Sequence, residues 1–445
     1  MRFVIIGGDA AGMSAASRAR RNQKDLEITV LEKTLDVSYS ACGMPYNLAD
    51  PERDIDELVV REASVFREKQ GIDLRLGHRA ESIDRGARAV RGRTSDGQPF
   101  EVGYDKLLIA TGASPVIPDM EGATLPGVMP LKSLEDGRRI KQYLSEHKVR
   151  SAVIIGMGYI GMEMAEAFFE RGVRVDMVKP RPRVLPWMPE ALSGVILDEL
   201  DRHLVRLYAG EEVRAIEKAE AGLEVICSNR RLAADLVLLA IGVRPNSEPA
   251  EKAGLELGPA NAVAVDRALR TSDPDIYSAG DCADAFHVVT GERTWIPLAL
   301  RANRAGRAVG DHVTGRDVSL DGVAGTAVFK VFDLQVARTG LSVKEAQDAG
   351  FDPVEKTIFA RSRAHAHPGA SQIGVQMVGD RSSGRLLGVQ MVGKEGVAHR
   401  IDAPAVALHA RMTVEQFHEC DLAYAPPFGG TWDPMHIAAQ QVMKK

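Results

Sequence analysis

Two glycine-rich turns and one cysteine hold the residue types and spacings best suited to chemistry in this sequence. The first turn, Gly7-Gly8-Asp9-Ala10-Ala11-Gly12, follows the apolar run Arg2 to Ile6 and opens a helical stretch to about Asn22. A second strand-like run, Glu27 to Leu31, comes next. The other turn, Gly156-Met157-Gly158-Tyr159-Ile160-Gly161, follows Ala152 to Ile155, opens a helix that stops at Gly172, and precedes Val173 to Val178. Glycine-rich turns occur in many loops, so the match alone is weak. Between a strand and a helix it gains a purpose. The first glycine permits the tight turn, the last lets helix and strand approach, and the exposed N–H groups of the helix N-terminus hold a pyrophosphate. Each unit also ends its next strand in a diagnostic residue. Glu32, followed by Lys33, gives the first unit a carboxylate that can accept from a ribose hydroxyl. Lys179, with Arg181 and Arg183 close behind, suits the 2′-phosphate of NADP, so NADPH is expected over NADH unless these are only solvated loop charges. The first unit departs from the pattern in one place: Asp9 stands where the middle glycine belongs.

Cys42 lies in the run Ser38-Tyr-Ser-Ala-Cys42-Gly-Met-Pro-Tyr-Asn47, soon after Glu32. Pro45 suits the first turn of a helix, which puts Cys42 at or just before a helix N-terminus. That position lowers a thiol's pKa and raises its thiolate fraction. Cys227, Cys282 and Cys420 are read as small buried hydrophobes.

These residues need parallel sheets to position them. At 445 residues the chain is too long for one core, and short apolar strands alternating with helices imply Rossmann-like units. Leu107 to Gly112 (LLIATG) and Leu236 to Gly242 (LVLLAIG) repeat one texture, strand into tight turn, and the second runs into Arg244-Pro245-Asn246. After about Gly325 the texture changes to strand-like runs such as Thr326 to Phe332 and Leu386 to Val392, read as a third, α+β domain. A net charge of −5 gives no reason to expect nucleic-acid or membrane-surface binding. No apolar run approaches the ~18 to 20 residues that cross a bilayer, and Phe3 to Ile6 reads as a first strand, not a signal peptide. Four cysteines without a CxxC pair fit a reducing cytoplasm, and no metal site is expected.

The order of these motifs, completed by Thr271-Ser-Asp-Pro-Asp-Ile-Tyr-Ser-Ala-Gly-Asp281, resembles the pyridine nucleotide–disulfide oxidoreductases over essentially the whole chain. The resemblance implies an α/β fold with two Rossmann-like domains, for FAD and NAD(P)H, and a C-terminal α+β dimerisation domain. Residues 1–115 and 246–325 would bind FAD, 116–245 NAD(P)H, and 326–445 would dimerise. It implies FAD contacts from Gly7, Gly8, Ala11, Gly12, Glu32, Lys33, the crossing turn Ala110-Thr111-Gly112, Gly280 and Asp281, whose carboxylate would bond the ribityl chain. Leu298, Ala299 and Phe428 also match cofactor-binding positions. The nicotinamide nucleotide is assigned to Gly156, Gly158, Tyr159, Ile160, Gly161, Glu163, Lys179, Arg181 and Gly242, with Tyr159 and Glu163 lining the nicotinamide pocket.

In two-cysteine members a second cysteine follows five positions after the first; here that position is Asn47. The chain therefore resembles the single-cysteine branch, which comprises coenzyme A–disulfide reductases, persulfide or polysulfide reductases, NADH oxidases and NADH peroxidases. The oxidases and peroxidases carry a histidine where this sequence has Ala10. The coenzyme A–disulfide reductases share a motif that reads here Ala423-Tyr424-Ala425-Pro426-Pro427-Phe428, its tyrosine the proposed acid for the departing thiolate. By the same resemblance Ser14, Arg18, Arg21, Ser38, Asn303 and Arg304 would bind coenzyme A. Ser14, Arg18 and Arg21 do share one helix face, though solvated arginines are the alternative. One stretch departs: His365-Ala-His367-Pro-Gly369 lacks the two tyrosines usual in those reductases, so either His367 takes the proton role or the substrate differs. Some relatives carry a C-terminal rhodanese domain; none follows here, so sulfur transfer within one polypeptide is not expected. The reading is an FAD-dependent NAD(P)H reductase of coenzyme A disulfide or a related disulfide, persulfide or polysulfide, working as a homodimer. An NAD(P)H oxidase and a slow redox-sensing flavoprotein are the alternatives.

Overall fold

The structure is a computed structural model and describes residues 1–444. Its first sheet is all parallel. β1 (Arg2–Ile6) pairs with β2 (Glu27–Leu31) on one side and β7 (Lys106–Ile109) on the other, with β3 (Asp73–Arg75) and β18 (Ile276–Ser278) at the edges. A run such as Phe3-Val4-Ile5-Ile6 is buried throughout, as expected for a strand covered on both faces. An antiparallel sheet of β4 (His78–Asp84), β5 (Ala89–Thr94) and β6 (Pro99–Gly103) sits beside it. The second parallel sheet runs in the order β12 (Arg206–Ala209), β11 (Arg174–Lys179), β10 (Ser151–Ile155), β16 (Leu236–Leu239), β9 (Val128–Pro130). It has its own antiparallel companion in β13 (Val213–Lys218), β14 (Leu223–Cys227) and β15 (Arg231–Ala234). Neither companion sheet was anticipated from the sequence.

The two connections between these units run side by side. β8 (Ala113–Pro115) pairs antiparallel with β17 (Val243–Pro245). Asn246 ties them further: its side-chain N–H donates to the Thr111 carbonyl at 2.8 Å, and the Ser114 hydroxyl donates to its Oδ1 at 2.7 Å. The short ribbon β19 (Ala285–Phe286) and β20 (Arg293–Thr294) precedes the last sheet. That sheet is wholly antiparallel, in the order β21 (Ala327–Val331), β22 (Leu334–Gly340), β25 (Leu386–Gly393), β24 (Gln372–Asp380), β23 (Pro353–Arg361). Two Rossmann-like parallel sheets followed by an α+β unit is the expected architecture.

Helices α1 (Ala10–Asn22), α2 (Met44–Ala49), α3 (Leu134–Glu146) and α4 (Tyr159–Glu170) position the site. α5 (Glu190–Arg202) and α6 (Glu248–Lys252) follow, then α7 (Ala299–Val313), which lies unusually close to α1. A Cβ on Gly306 would stand 2.0 Å from the Ala11 carbonyl oxygen, and one on Gly310 2.7 Å from that of Ala15. Small residues on both helices allow the approach. The cores do not respect the boundaries of the sheets. One continuous apolar cluster joins Met44 and Leu48 of α2, Met162 and Phe168 of α4, and Phe329, Phe332 and Val336 of the C-terminal strands.

Candidate functional site

The first glycine turn is built for close backbone approach. Gly7 has φ +111°, and a Cβ there would stand 2.1 Å from the Ala110 carbonyl oxygen. A Cβ on Gly12 would lie 1.9 Å from the oxygen of Gly7, so helix and strand meet as the pattern requires. Glu32 is buried and anchored. Its Oε2 accepts from the Gly8 N–H at 2.7 Å, and its Oε1 from the N–H and hydroxyl of Thr34 at 2.7 and 2.8 Å. A carboxylate has about four acceptor positions, so one stays free for a ribose hydroxyl. Gly280 brings its loop close to α1: a Cβ there would stand 3.1 Å from the Ala11 Cβ. The loop is stapled by two groups the sequence did not flag. Trp295 Nε1 donates to the Asp281 carbonyl at 2.8 Å, and the buried Arg301 donates to the carbonyls of Gly280, Ala283 and Asp284.

Asp9 occupies the N-cap of α1 without making a side-chain cap bond. Burial, opposed by the nearby Lys132 ammonium and reinforced by Glu32 and Asp281, pushes its carboxyl up to about 6. Lys132 itself holds Asp281 Oδ2 at 2.9 Å. The second unit contrasts with this. Gly156 has φ +114° and Gly161 stands close to its carbonyl, but a Cβ on the middle glycine, Gly158, would meet nothing within 4 Å. Where the second turn leaves open space, the first carries a carboxylate. Both turns fit a dinucleotide, the first with an extra charge to accommodate.

Cys42 lies in a short 3₁₀ turn, Ala41–Gly43, that leads into α2 with Pro45 in its first turn, as the sequence implied. The expected lowering of its pKa is not found. Although Cys42 is exposed at the surface of this chain, partial desolvation by its surroundings and then the Glu163 carboxylate push the thiol up; Lys132 pulls it down, and Asp281 and Asp9 push it up again. The turn is too short to bring a helix dipole to bear, and the surrounding charge is mostly negative. The charges that act on the thiol come from the first turn, the Asp281 loop and α4. All four cysteines are free. Asn47, at the position of a second cysteine, is fully buried, its amide donating to the Asp54 carbonyl at 2.8 Å while Lys141 donates to its Oδ1. Cys282 is a buried packing residue bonded to the Ile109 and Ala279 carbonyls.

Glu163 accepts from the Tyr46 hydroxyl at 2.8 Å. Tyr159 is half-buried, its ring stacked 4.7 Å from Phe329 and edge-on to Trp187. Lys179 ends β11 as expected, but its ammonium donates to the Arg183 carbonyl at 2.8 Å, and Arg181 and Arg183 are exposed.

The residues expected to hold coenzyme A divide in two. Ser14 donates to Asn303 Oδ1 at 2.8 Å, joining α1 and α7; Arg21 and Arg304 are exposed nearby on those helices; and Ser38 (φ +51°) donates its N–H to the Gly8 carbonyl. Arg18, by contrast, already has a partner. Its Nε is 2.7 Å from Asp311 Oδ1, with both side chains largely buried, so part of its guanidinium is committed to helix packing. In the C-terminal domain the loops of His367 and Tyr424 adjoin: the Ala364 N–H donates to the Pro426 carbonyl at 3.1 Å. Arg400, unnoticed in the sequence, clamps them, donating to the Ser362 and Phe428 carbonyls while paired with Asp433 at 2.8 Å. Tyr424 and Phe428 are 51% and 77% exposed. Both therefore lie at the surface of this chain. Among the described residues no group of three or more His, Cys, Asp or Glu is arranged to hold a metal ion, and no helix is long and apolar enough to cross a membrane.

The pyridine nucleotide-disulphide oxidoreductase family matches residues 1–306, and its dimerisation domain matches residues 326–435. The chain belongs to that family. It is an FAD-dependent NAD(P)H oxidoreductase with a C-terminal dimerisation domain. Among relatives, an NAD(P)H sulfur oxidoreductase (CoA-dependent) from Pyrococcus abyssi is 39% identical over 439 residues, 98% of this chain and 97% of its own. An NADH oxidase from Methanocaldococcus jannaschii is 33% identical over 446 residues, 100% of this chain and 99% of its own. The structure of an NAD-dependent persulfide reductase from A. fulgidus superimposes with a TM-score of 0.96 at 36% identity, covering 100% of this chain and 83% of that one.

Proposed function

We propose that this oxidoreductase uses NAD(P)H to reduce coenzyme A disulfide, or a related persulfide or polysulfide, at Cys42. One observation carries the reading: the Cys42 thiol is within electrostatic reach of Asp9 in the first dinucleotide turn and of Glu163 on α4, with buried Asn47 in place of a partner thiol. With no internal disulfide available, the oxidised form of Cys42 is a mixed disulfide or persulfide with the substrate. Residues 1–115 and 246–325 would hold FAD, 116–245 would hold NAD(P)H, and 326–445 would form the dimer contact. Bound FAD would take hydride from NAD(P)H and supply the electron pair that breaks the Cys42 mixed disulfide.

The chain's own residues divide the remaining tasks. Cys42, as thiolate, attacks one sulfur of the next disulfide, and the S–S bond breaks. The departing thiolate takes a proton from Tyr424 of a second subunit or from His367 beside it. Ser14, Ser38, Arg21, Asn303 and Arg304 hold the coenzyme's polar groups, with Arg18 a lesser contributor. A homodimer supplies the exposed Tyr424 and Phe428 to the neighbouring cleft, which also excludes water there. Relatives described as a CoA-dependent sulfur oxidoreductase and a persulfide reductase support the substrate class. Free thiols throughout suit a reducing cytoplasm.

The test compares coenzyme A disulfide, polysulfide and oxygen as acceptors for wild type and Cys42→Ser. Cys42→Ser should lose disulfide and polysulfide turnover and keep reduction of the flavin by NAD(P)H. Disulfide turnover retained in that variant would move the chemistry elsewhere. Oxygen consumption matching the best sulfur acceptor would favour an oxidase, against which Ala10 counts because it offers no acid or base to an oxidised cysteine.

A further inference from the structure

The segment that carries Tyr424 has little regular structure of its own. Between the short helix Val414–His418 and the C-terminal helix Pro434–Met443 no residue belongs to a helix or strand. Its tip is a tight turn in which the Phe428 and Gly429 N–H groups both donate to the Ala425 carbonyl, at 2.9 and 3.0 Å. Arg400 ties this segment down from outside. Its largely buried guanidinium pairs through Nε with Asp433 at 2.8 Å, while Nη2 donates to the Phe428 carbonyl and, at 3.4 Å, to the Ser362 carbonyl. Nη1 donates to the Gly396 carbonyl at 3.1 Å, which fixes the fork itself. Ser362 opens the loop of His367, and that loop is braced further on: Arg363 pairs with Glu395 at 2.6 Å and donates to the Pro368 carbonyl at 3.0 Å. At the start of the Tyr424 segment, the Cys420 carbonyl accepts from His436 Nε2 at 3.0 Å.

We infer that Arg400 is a positioning residue for the proton donor of the C-terminal domain: by bridging the Phe428 and Ser362 carbonyls it holds the Tyr424 and His367 loops as one rigid lip. The inference rests on the reading that Tyr424 or His367 protonates the departing thiolate. Charge balance alone does not require this arrangement. Asp433 is satisfied by any cation, a point charge included, whereas two carbonyls from separate loops call for a planar fork of N–H donors. Both carbonyls are neutral, so those bonds fix geometry rather than offset charge. When the Cys42 thiolate forms its new S–S bond and the old one breaks, the leaving thiolate takes the proton at once only if the donor already stands within hydrogen-bond reach. A donor on a wandering loop loses that placement, and misplacement by about 1 Å can cost about 10²-fold in rate. The benefit depends on the leaving group. An aliphatic thiol such as that of coenzyme A leaves poorly unless it is protonated; an aromatic thiol of low pKa departs as the thiolate. The donor left without its proton regains one from water.

The experiment uses Arg400→Lys, which keeps a cation for Asp433 but cannot span the two carbonyls. NADPH-reduced holoenzyme is mixed rapidly with coenzyme A disulfide or with the aromatic disulfide dithiobis(nitrobenzoic acid), and the rate of its oxidation is measured. Arg400→Lys should slow oxidation by coenzyme A disulfide about tenfold or more, and by the aromatic disulfide less than about twofold. In hydrogen exchange its amides at 421–432 should open faster, while the helix Pro434–Met443 keeps its wild-type protection. An unchanged rate with coenzyme A disulfide overturns the inference, and so does an unchanged exchange of the loop. A fall shared equally by both disulfides also overturns it, because general damage to the fold would act in that way. Failure of the functional reading looks different. A Tyr424→Phe, His367→Ala double variant would then be oxidised by coenzyme A disulfide at the wild-type rate. Failure of this inference alone leaves that double variant impaired and Arg400→Lys unimpaired.

Discussion

Replacing Asp9 with asparagine removes a charge from the one place where the first glycine turn departs from its pattern. The carboxyl rises from 3.8 to about 6, chiefly through burial. A rise of about two units corresponds to about 3 kcal/mol by which folding disfavours the ionised form. Incomplete burial and the Lys132 ammonium make that a ceiling. The sign follows from which state holds the proton. Below pH ~4 Asp9 is protonated folded and unfolded, and contributes no difference. Between pH ~4 and ~6 the unfolded chain ionises while the folded one resists, and stability is lost. Above pH ~6 the full penalty applies. Asp9→Asn should therefore be more stable than wild type at pH 8, by about 1–3 kcal/mol, with the gain shrinking as pH falls toward 4. Urea unfolding followed by circular dichroism at pH 4.5, 6 and 8 measures it, and FAD release provides a second readout, since a neutral side chain should hold the diphosphate more tightly. A gain independent of pH would mean that shape, not charge, is responsible. A loss at pH 8 would mean that pairing with Lys132 outweighs burial, and the reasoning would fail.

Three further perturbations test the remaining assignments. Lys179→Glu should move the ratio of kcat/KM values from NADPH toward NADH, because it puts a carboxylate where the 2′-phosphate would lie; an unchanged ratio would leave Lys179 as the loop brace its bond to the Arg183 carbonyl already makes it. Arg18→Met should cost about 1–2 kcal/mol of stability by removing the nearer of the two arginines on Asp311, with Arg316 left at 3.6 Å, whereas exposed Arg21→Ala should leave stability unchanged and raise KM for coenzyme A disulfide about 2- to 5-fold. Equal effects on melting temperature from the two would refute that division of labour. Mixing Cys42→Ser with Tyr424→Phe subunits should restore activity in heterodimers, provided Tyr424→Phe alone is impaired; a fully active monomer would exclude the composite site.

Much of this architecture was legible because local and global signals agree. Each glycine turn sits between a strand and a helix, and Glu32 and Lys179 fall at the ends of the strands that follow. Asn47 announced the absence of a disulfide, and its burial explains why no thiol is needed for packing there. What stayed hidden depends on side chains that meet only after folding. Lys132 and Asp281 are 149 positions apart, and Tyr46 and Glu163 are 117 apart. No periodicity marks such pairs. The pKa expectation for Cys42 failed for the same reason. It followed from a helix N-terminus read locally, while the deciding charges, Glu163, Asp281 and Asp9, arrive from three distant segments. Arg18 shows the limit of helix-face arguments: its place on the wheel was right, but α7 brought Asp311 to the same place.

The apolar cluster that runs from α2 through the second parallel sheet to Phe329 and Phe332 has a mechanical meaning. A hinge needs a seam across which few apolar contacts are lost on opening, and the joint between the second sheet and the C-terminal strands offers none. Phe332 stacks on His203 at 3.9 Å, Tyr159 on Phe329 at 4.7 Å, and Glu166 grips Lys330 across it. The helix that follows Cys42 is embedded in the same mass. Domain swinging is therefore an expensive way to admit a nucleotide here, and the small motions left are those of side chains lining the cleft and of the exposed loops. In hydrogen exchange, the amides of α4, β21 and β22 should open together as one slow unit, although the sequence assigns them to different domains.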